Sequence, residues 1–296
     1  MARPRITWWT PGRSRTLRKG AACASPPPAE RCACGSRSAR SGGSREPGGV
    51  VKRLFGTDGI RGVAGLFPLD PATVSAIGRA LGRRLKGARG GPPRVVVGRD
   101  TRESGPDIER SLVEGIRAAG GRADCGGVLT TPAVACIARL MGYDAGVVVS
   151  ASHNPYRDNG IKVFEGAGYK LPDALEAEIE REVLDSGAGP GAHAHGASDS
   201  AARPDGDAAS GHEALEGQGV TTEALHARYV DWLRGALPED ATFEGLSIVL
   251  DCANGAASSL GPEIFRRLGA KVFALNARPD GRNINEGCGA LHPAGL

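Results

Sequence analysis

The residues best equipped for chemistry lie in one run, Gly146–Lys162, GVVVSASHNPYRDNGIK. A β-branched stretch delivers Ser150, Ala151, Ser152, His153, Asn154 and Pro155 where a buried strand should end. In open α/β sheets ligands bind outside the carboxyl ends of strands, so Ser152 stands where a reactive hydroxyl is useful. Pro155 stiffens the loop behind it. A serine beside a histidine first suggests a hydrolase. The run has no G-x-S-x-G elbow, however, and adjacent side chains in extended backbone point apart, so His153 is badly placed as a base for Ser152. A plain polar turn held by Ser, Asn and Pro is the bland alternative. Phosphoryl chemistry suits the surroundings better, because phosphate needs clustered cations and backbone donors rather than a triad.

Such cations occur nearby in the pattern. Residues 55–62, FGTDGIRG, set glycines around Thr57, Asp58 and Arg61, a stretch that reads as a loop open to an anion. Residues 98–105, GRDTRESG, follow a strand and open a helix, with Arg99, Arg102 and Ser104 near its N-terminus. Free N–H groups and the helix dipole favour phosphate there. Lys162 adds a cation that can also trade a proton. Alone, Arg102 reads as an ordinary solvated charge. Together these segments predict several loops converging on phosphate at one sheet edge.

The elements that must position them follow from periodicity. Val74, Ile77, Leu81 and Leu85 mark one face of a helix over 71–87, and 94–98 (RVVVG) reads as a buried strand. A helix over 104–119 has Ser104 as N-cap, Asp107 in its first turn and Gly120-Gly121 at its close. Residues 122–129 predict a strand, 131–141 a helix, 145–149 and 160–164 strands, and 172–185 a Glu-rich helix. This alternation predicts an α/β fold: a mixed or parallel sheet with helices on both faces. Residues 186–220 hold almost no large aliphatic side chain and read as a Gly/Ala-rich linker, in which His193 and His195 have no scaffold for a metal. A second unit begins near Thr221. It comprises a helix over 222–235 with Leu225, Tyr229, Trp232 and Leu233 inward, strands at 247–251 and 271–275, and a helix over 258–269. Two strands are few for a doubly wound domain, so this second α/β domain reads as incomplete.

Composition bounds the rest. The 296 residues are 40% hydrophobic, enough for real cores and too much for a disordered chain or a disulfide miniprotein. No run approaches 18 consecutive apolar residues, so no membrane partner is expected. The net charge of +4 is misleading, because ten Arg and Lys against two Glu fall within residues 1–50 and the remainder is net negative. Nucleic acid is therefore not an expected partner of the body; binding through the basic tail would fall steeply with salt. Seven Cys, three in the tail (Cys23, Cys32, Cys34), show no C-x-x-C spacing and suit reduced thiols in a cytoplasmic protein.

The set of motifs resembles the α-D-phosphohexomutase superfamily. The segments that carry the resemblance are FGTDGIRG at 55–62, GRDTRESG at 98–105, LTTPAVA at 129–135 and VVVSASHNPYRDNGIKVF at 147–164. LDCANGAAS at 250–258 and PDGRNINEGCGALHP at 279–293 continue it, so the likeness runs from about Arg53 to the end, except across the linker. The organisation implied is a basic disordered extension at 1–52, a first α/β domain with the serine loop at 53–185, the linker at 186–220 and an incomplete second α/β domain at 221–296. The resemblance implies that Ser152 carries a phosphoryl group, passes it to a phosphosugar and recovers the other phosphate from the bisphosphate. The sugar implied is glucosamine phosphate, with mannose or glucose phosphate as alternatives. Arg61, Lys162 and His153 would serve catalysis, and Thr57, Asp58, Arg99, Arg102 and Asn154 would bind phosphate or substrate. Mg²⁺ would meet the Ser152 phosphate, helped in that family by three Asp of a D-x-D-x-D loop. No D-x-D-x-D occurs in this sequence, and Asp205-Gly206-Asp207 lies in the linker. Negligible turnover is the resulting expectation for this chain alone. A non-catalytic binding protein built on the same domain is the competing reading, and phosphate on Ser152 separates the two.

Overall fold

The computed structural model describes residues 54–85, 90–187 and 219–296. The basic extension, most of the linker with its histidines, and Asp205-Gly206-Asp207 lie outside these residues.

The alternating pattern produces a six-stranded mixed sheet in the order β1-β2-β6-β5-β3-β4. The strands are β1 Phe55–Gly56, β2 Gly59–Val63, β3 Arg94–Arg99, β4 Arg122–Val128, β5 Ala145–Val149 and β6 Asp158–Glu165. β3 runs parallel to β4 and β5, whereas β6 is antiparallel to both β5 and β2. Helices cover both faces: α1 Pro71–Leu85, α2 Gly105–Ala118 and α4 Asp173–Asp185 on one, α3 Thr131–Leu140 on the other. Alternation within the strands sorts the side chains. Ile60, Val95, Val97, Val147, Val149 and Ile161 join the core with Ile77, Leu81, Leu112 and Ile116. Val96 and Val148 meet Val134 and Ile137 beneath α3. Each such buried aliphatic is worth about 1.5–3 kcal/mol of transfer free energy.

α1 and α2 approach at glycines. A Cβ on Gly78 would strike the Leu112 carbonyl, and one on Gly115 the Ser75 carbonyl. The sequence elements hold to within a few residues, with two differences that matter. The stretch 55–62 is not a loop but a tight antiparallel hairpin, Phe55 opposite Ile60 and Gly56 opposite Gly59. Its alternating apolar residues, Phe55 and Ile60, have a core to enter. α5 Thr222–Gly235 places its apolar face against the first sheet: Leu225, Tyr229 and Val230 share the α3-side core, and Thr222 Oγ1 donates to the Cys125 carbonyl at 3.0 Å. Trp232, expected inside, is exposed and stacks on Tyr229 instead.

The remaining described elements are β7 Ser247–Asp251, α6 Ala257–Arg267 and β8 Lys271–Leu275, with β7 and β8 forming a parallel pair. Cys125, Cys136, Cys252 and Cys288 are free thiols. No described helix is long and apolar enough to cross a membrane.

Candidate active site

β5 is buried along its whole length and ends at Val149, so the chain must turn at Ser150 into a loop that returns as β6. That turn begins with Ser150 N–H on the Gly160 carbonyl (2.9 Å) and Ser150 Oγ accepting from Ser152 N–H (3.0 Å). Ser152 then adopts φ 56°, a left-handed conformation that a serine rarely takes without support. The extended geometry expected around Ser152 and His153 is thus replaced by a sharp turn, and both side chains stand exposed.

The support is Arg102. Expected to meet solvent or phosphate, this guanidinium is instead completely buried, salt-bridged to Asp100. Its Nη2 donates to the Ser152 carbonyl at 3.2 Å and to the Asn154 carbonyl at 2.7 Å. Burial pushes its pKa down from the ordinary value, against the attraction of Asp100. The charge is therefore spent inside the protein, holding the backbone that presents the Ser152 hydroxyl. The rest of the 98–105 segment is spent likewise. Asp100 N–H donates to the Val149 carbonyl, Arg102 N–H to Asp100 Oδ1, Glu103 N–H to the Gly281 carbonyl and Gly105 N–H to the Arg102 carbonyl. Pro106 has no N–H, so little of the α2 N-terminus remains for an anion. Ser104 sits at the N-cap without a capping hydrogen bond, and its hydroxyl accepts from Asn159 Nδ2 at 2.9 Å. Arg99 is also committed elsewhere: it pairs with Glu109 of α2 (Nε to Oε2, 3.0 Å), both largely buried.

Arg61 and Lys162 behave differently. Ile60 and Ile161 enter the α1/α2 core, so their neighbours Arg61 and Lys162 share the opposite face of the sheet, with Gly160 paired to Arg61. A Cβ on Gly160 would stand 2.9 Å from the Ser150 carbonyl and 3.2 Å from Arg61 Cγ. The Arg61 stem therefore crosses the bare glycine next to the start of the serine turn, close enough for its charge to oppose that of Arg102. Arg61 Nε is buried without a hydrogen-bond partner, and Nη2 reaches Asp58 only at 3.5 Å. Arg102 Nε is unpartnered too, but the Arg61 side chain, unlike that of Arg102, is one-third exposed (33%), so its guanidinium is the one that an incoming anion can pair with. Half-buried Lys162 has no ion pair among the described residues. Asp58 lies at the hairpin tip, and Thr57 lines a cavity of about 920 Å³ against α4 with Lys170, Glu176 and Glu180. Asn154 turns its side chain to Asp158 (2.9 Å).

With that geometry in place, similarity to known proteins decides the family. Residues 52–188 match the family model for phosphoglucomutase/phosphomannomutase, alpha/beta/alpha domain I. Residues 52–188 form a phosphohexomutase domain. It is 43% identical over 247 residues to phosphoglucosamine mutase of Anaeromyxobacter sp. (strain Fw109-5), covering 83% of this chain and 50% of the relative. It is 46% identical over 243 residues to phosphoglucosamine mutase of Koribacter versatilis (strain Ellin345), covering 82% and 49%. A phosphoglucomutase/phosphomannomutase family protein of Burkholderia thailandensis superposes with TM-score 0.57 at 28% identity, covering 77% of this chain and 44% of that one. The chain thus spans about half the length of the curated relatives it matches.

Sequence reasoning missed the residue that meets the serine turn from the second unit. Asn285 Nδ2 donates to the Ser152 carbonyl at 2.9 Å and the Asn154 carbonyl at 3.1 Å. Its place in the motif at 279–293 was the available signal, but nothing in that spacing names a partner 130 residues away. Among the described residues no group of three or more His, Cys, Asp or Glu could hold a metal ion, so of the Mg²⁺ site that the resemblance implies these residues offer only the Ser152 position. Near Ser152, Asp100 is held by Arg102 and Asp158 by Asn154.

Proposed function

We propose that this chain works as the serine-bearing half of a phosphoglucosamine mutase, exchanging a phosphoryl group between Ser152 and a glucosamine phosphate. What supports this most is the exposed hydroxyl of Ser152 on a backbone fixed by a buried arginine, with the partly exposed Arg61 guanidinium crossing the neighbouring Gly160. Ser152 Oγ attacks phosphorus; the Oγ–P bond forms as the P–O bond to the sugar breaks. The hydroxyl loses its proton and the departing sugar oxygen gains one, and His153 and Lys162 are the groups assigned to this exchange. Arg61 neutralises charge on the equatorial oxygens, which is the main demand of phosphoryl transfer. The reverse transfer, in which the Oγ–P bond breaks as a P–O bond forms to the other hydroxyl of a sugar monophosphate, completes an isomerisation. The amino sugar is preferred because the relatives at 43% and 46% identity carry that name.

The test is incubation of the full chain with glucosamine 1,6-bisphosphate, followed by phosphopeptide mass spectrometry. Phosphate on the Ser152 peptide, absent from Ser152→Ala, supports the proposal; no phosphate there, or equal uptake by Ser152→Ala, overturns it. Parallel incubations with the glucose and mannose bisphosphates set the sugar preference. Because the sequence has no D-x-D-x-D, net turnover of glucosamine 6-phosphate in a coupled assay is expected to be negligible.

A further inference from the structure

The serine turn is gripped twice. Arg102 holds the Ser152 and Asn154 carbonyls from within the first sheet's own loops, and Asn285 holds the same two carbonyls from the second unit. Both partners of Asn285 are acceptors only, so the amide nitrogen must be the atom that faces them. Asn285 is itself fixed: it takes φ 60°, and its N–H donates to the Ala253 carbonyl at 2.9 Å. Ala253 in turn donates its N–H to Asp251 Oδ1, at the end of β7. Burial pushes the Asp251 carboxyl up, yet hydrogen bonds from Ala253 N–H, Asn276 Nδ2 and Gly289 N–H hold it below the ordinary value. A continuous set of hydrogen bonds therefore runs from the end of β7 to the backbone of the reactive residue.

Parallel ties join the same two regions. Thr101 Oγ1 donates to the Asn254 carbonyl at 2.5 Å, and Arg282 Nε meets Glu103 Oε2 at 2.6 Å. These fix the segment after β3. Among the described contacts from the second unit, those of Asn285 reach the Ser152 carbonyl itself.

We infer that Asn285 is a positioning residue for phosphoryl transfer: it makes the conformation of the Ser152 turn depend on docking of the second α/β unit. A serine in a left-handed turn lacks intrinsic preference for that shape, so each removed donor widens the range of directions in which Oγ points. This role rests on the proposed phosphoryl chemistry at Ser152, but its structural half is testable without it. Two variants of the full chain separate the causes. Asn285→Gly keeps the left-handed backbone at ease and deletes the donor; Asn285→Asp keeps the shape and sets a carboxylate against two carbonyls. Loss of a hydrogen bond of ordinary strength predicts that amide hydrogen exchange in the 150–157 peptide speeds up roughly tenfold in both, with α1 and α2 peptides unchanged. Uptake of phosphate by Ser152 from the sugar bisphosphate should slow by a similar factor, at unchanged melting temperature.

Unchanged exchange in 150–157 for both variants overturns the inference. Faster exchange with an undiminished rate of phosphate uptake overturns the positioning role and leaves Asn285 a structural tie. If the wild-type chain takes up no phosphate, the functional proposal fails while the exchange comparison still decides whether Asn285 controls the turn.

Discussion

Two arginine-bearing turns flank the Ser152 loop, and they use their charge in opposite ways. The turn after β3 turns most of its groups inward: Arg102 is buried on Asp100 and on two carbonyls, Arg99 is paired to Glu109, and the N–H groups of Asp100, Arg102, Glu103 and Gly105 are bonded to protein. The β1–β2 hairpin leaves the Arg61 side chain one-third exposed (33%), with only a long contact to Asp58. In sequence both segments look like phosphate loops, with glycines, an acid and arginines in eight residues. The difference teaches that glycine-and-arginine composition cannot separate a residue that binds an anion from one that builds the frame around it. Burial and the identity of the acceptors make that separation.

Breaking the frame should have the largest effect. Arg102→Ala leaves Asp100 buried without its cation and the Ser152 and Asn154 carbonyls with Asn285 as their remaining donor, so denaturant unfolding should report a loss of about 3–5 kcal/mol. Arg102→Lys should recover little, since an ammonium cannot reproduce the fork. A loss under about 1 kcal/mol would mean the turn is held by something else. Gly160→Ala comes next. Its Cβ presses on the Ile60 carbonyl at 2.6 Å and on the Ser150 carbonyl at 2.9 Å, an overpacking cost of about 1–3 kcal/mol that should also slow phosphate uptake on Ser152.

Arg99→Ala and Arg61→Ala sharpen the contrast most directly. The first should lower stability by about 1–3 kcal/mol by leaving Glu109 without its guanidinium, with uptake on Ser152 within a factor of about two. The second should change stability by less than about 1 kcal/mol while slowing uptake at least about tenfold. The reverse pattern would exchange the roles assigned to the two turns. Ser152→Gly relieves the left-handed backbone and should be neutral or stabilising by up to about 1 kcal/mol in the same unfolding assay.

The smallest effect concerns the inward-facing side alone. Burial, and then the nearby Glu109, push the Cys125 thiol up to about 12. Above the ordinary value of 9.0 the unfolded chain loses this proton while the folded chain keeps it. The thiol's contribution to stability is therefore complete below that pH and is lost as pH rises toward the folded value. By about pH 9.5 the loss should remain under about 1 kcal/mol, and Cys125→Ala should flatten the alkaline slope of a urea midpoint series.

Much of the fold was legible because its signals are local. The run RVVVG over 94–98 and AGVVV over 145–149 are strands for the reason the sequence suggests, both faces being covered. Likewise 222–235 is a helix with those bounds. What that helix packs against was not legible, because an amphipathic face does not name its partner, and Trp232 ended outside. The hairpin at Phe55–Val63 hid behind its glycines, which read as loop until Ile161 and Gly160 supplied the strand to pair with. Arg102 misled for a related reason: arginine is usually exposed, and only the acceptors at Ser152, Asn154 and Asp100 make its burial tolerable.

The sequence by itself determined which segments become strands and helices and which short loop holds the Ser152 hydroxyl, since periodicity and β-branching act over a few neighbours. Tertiary structure alone decided that Arg102 and Asn285 hold that loop while Arg61 remains free to meet an anion. Hydrogen-bond partners separated by 50 and 133 residues are set by how the sheets close in space, and no local pattern encodes that distance.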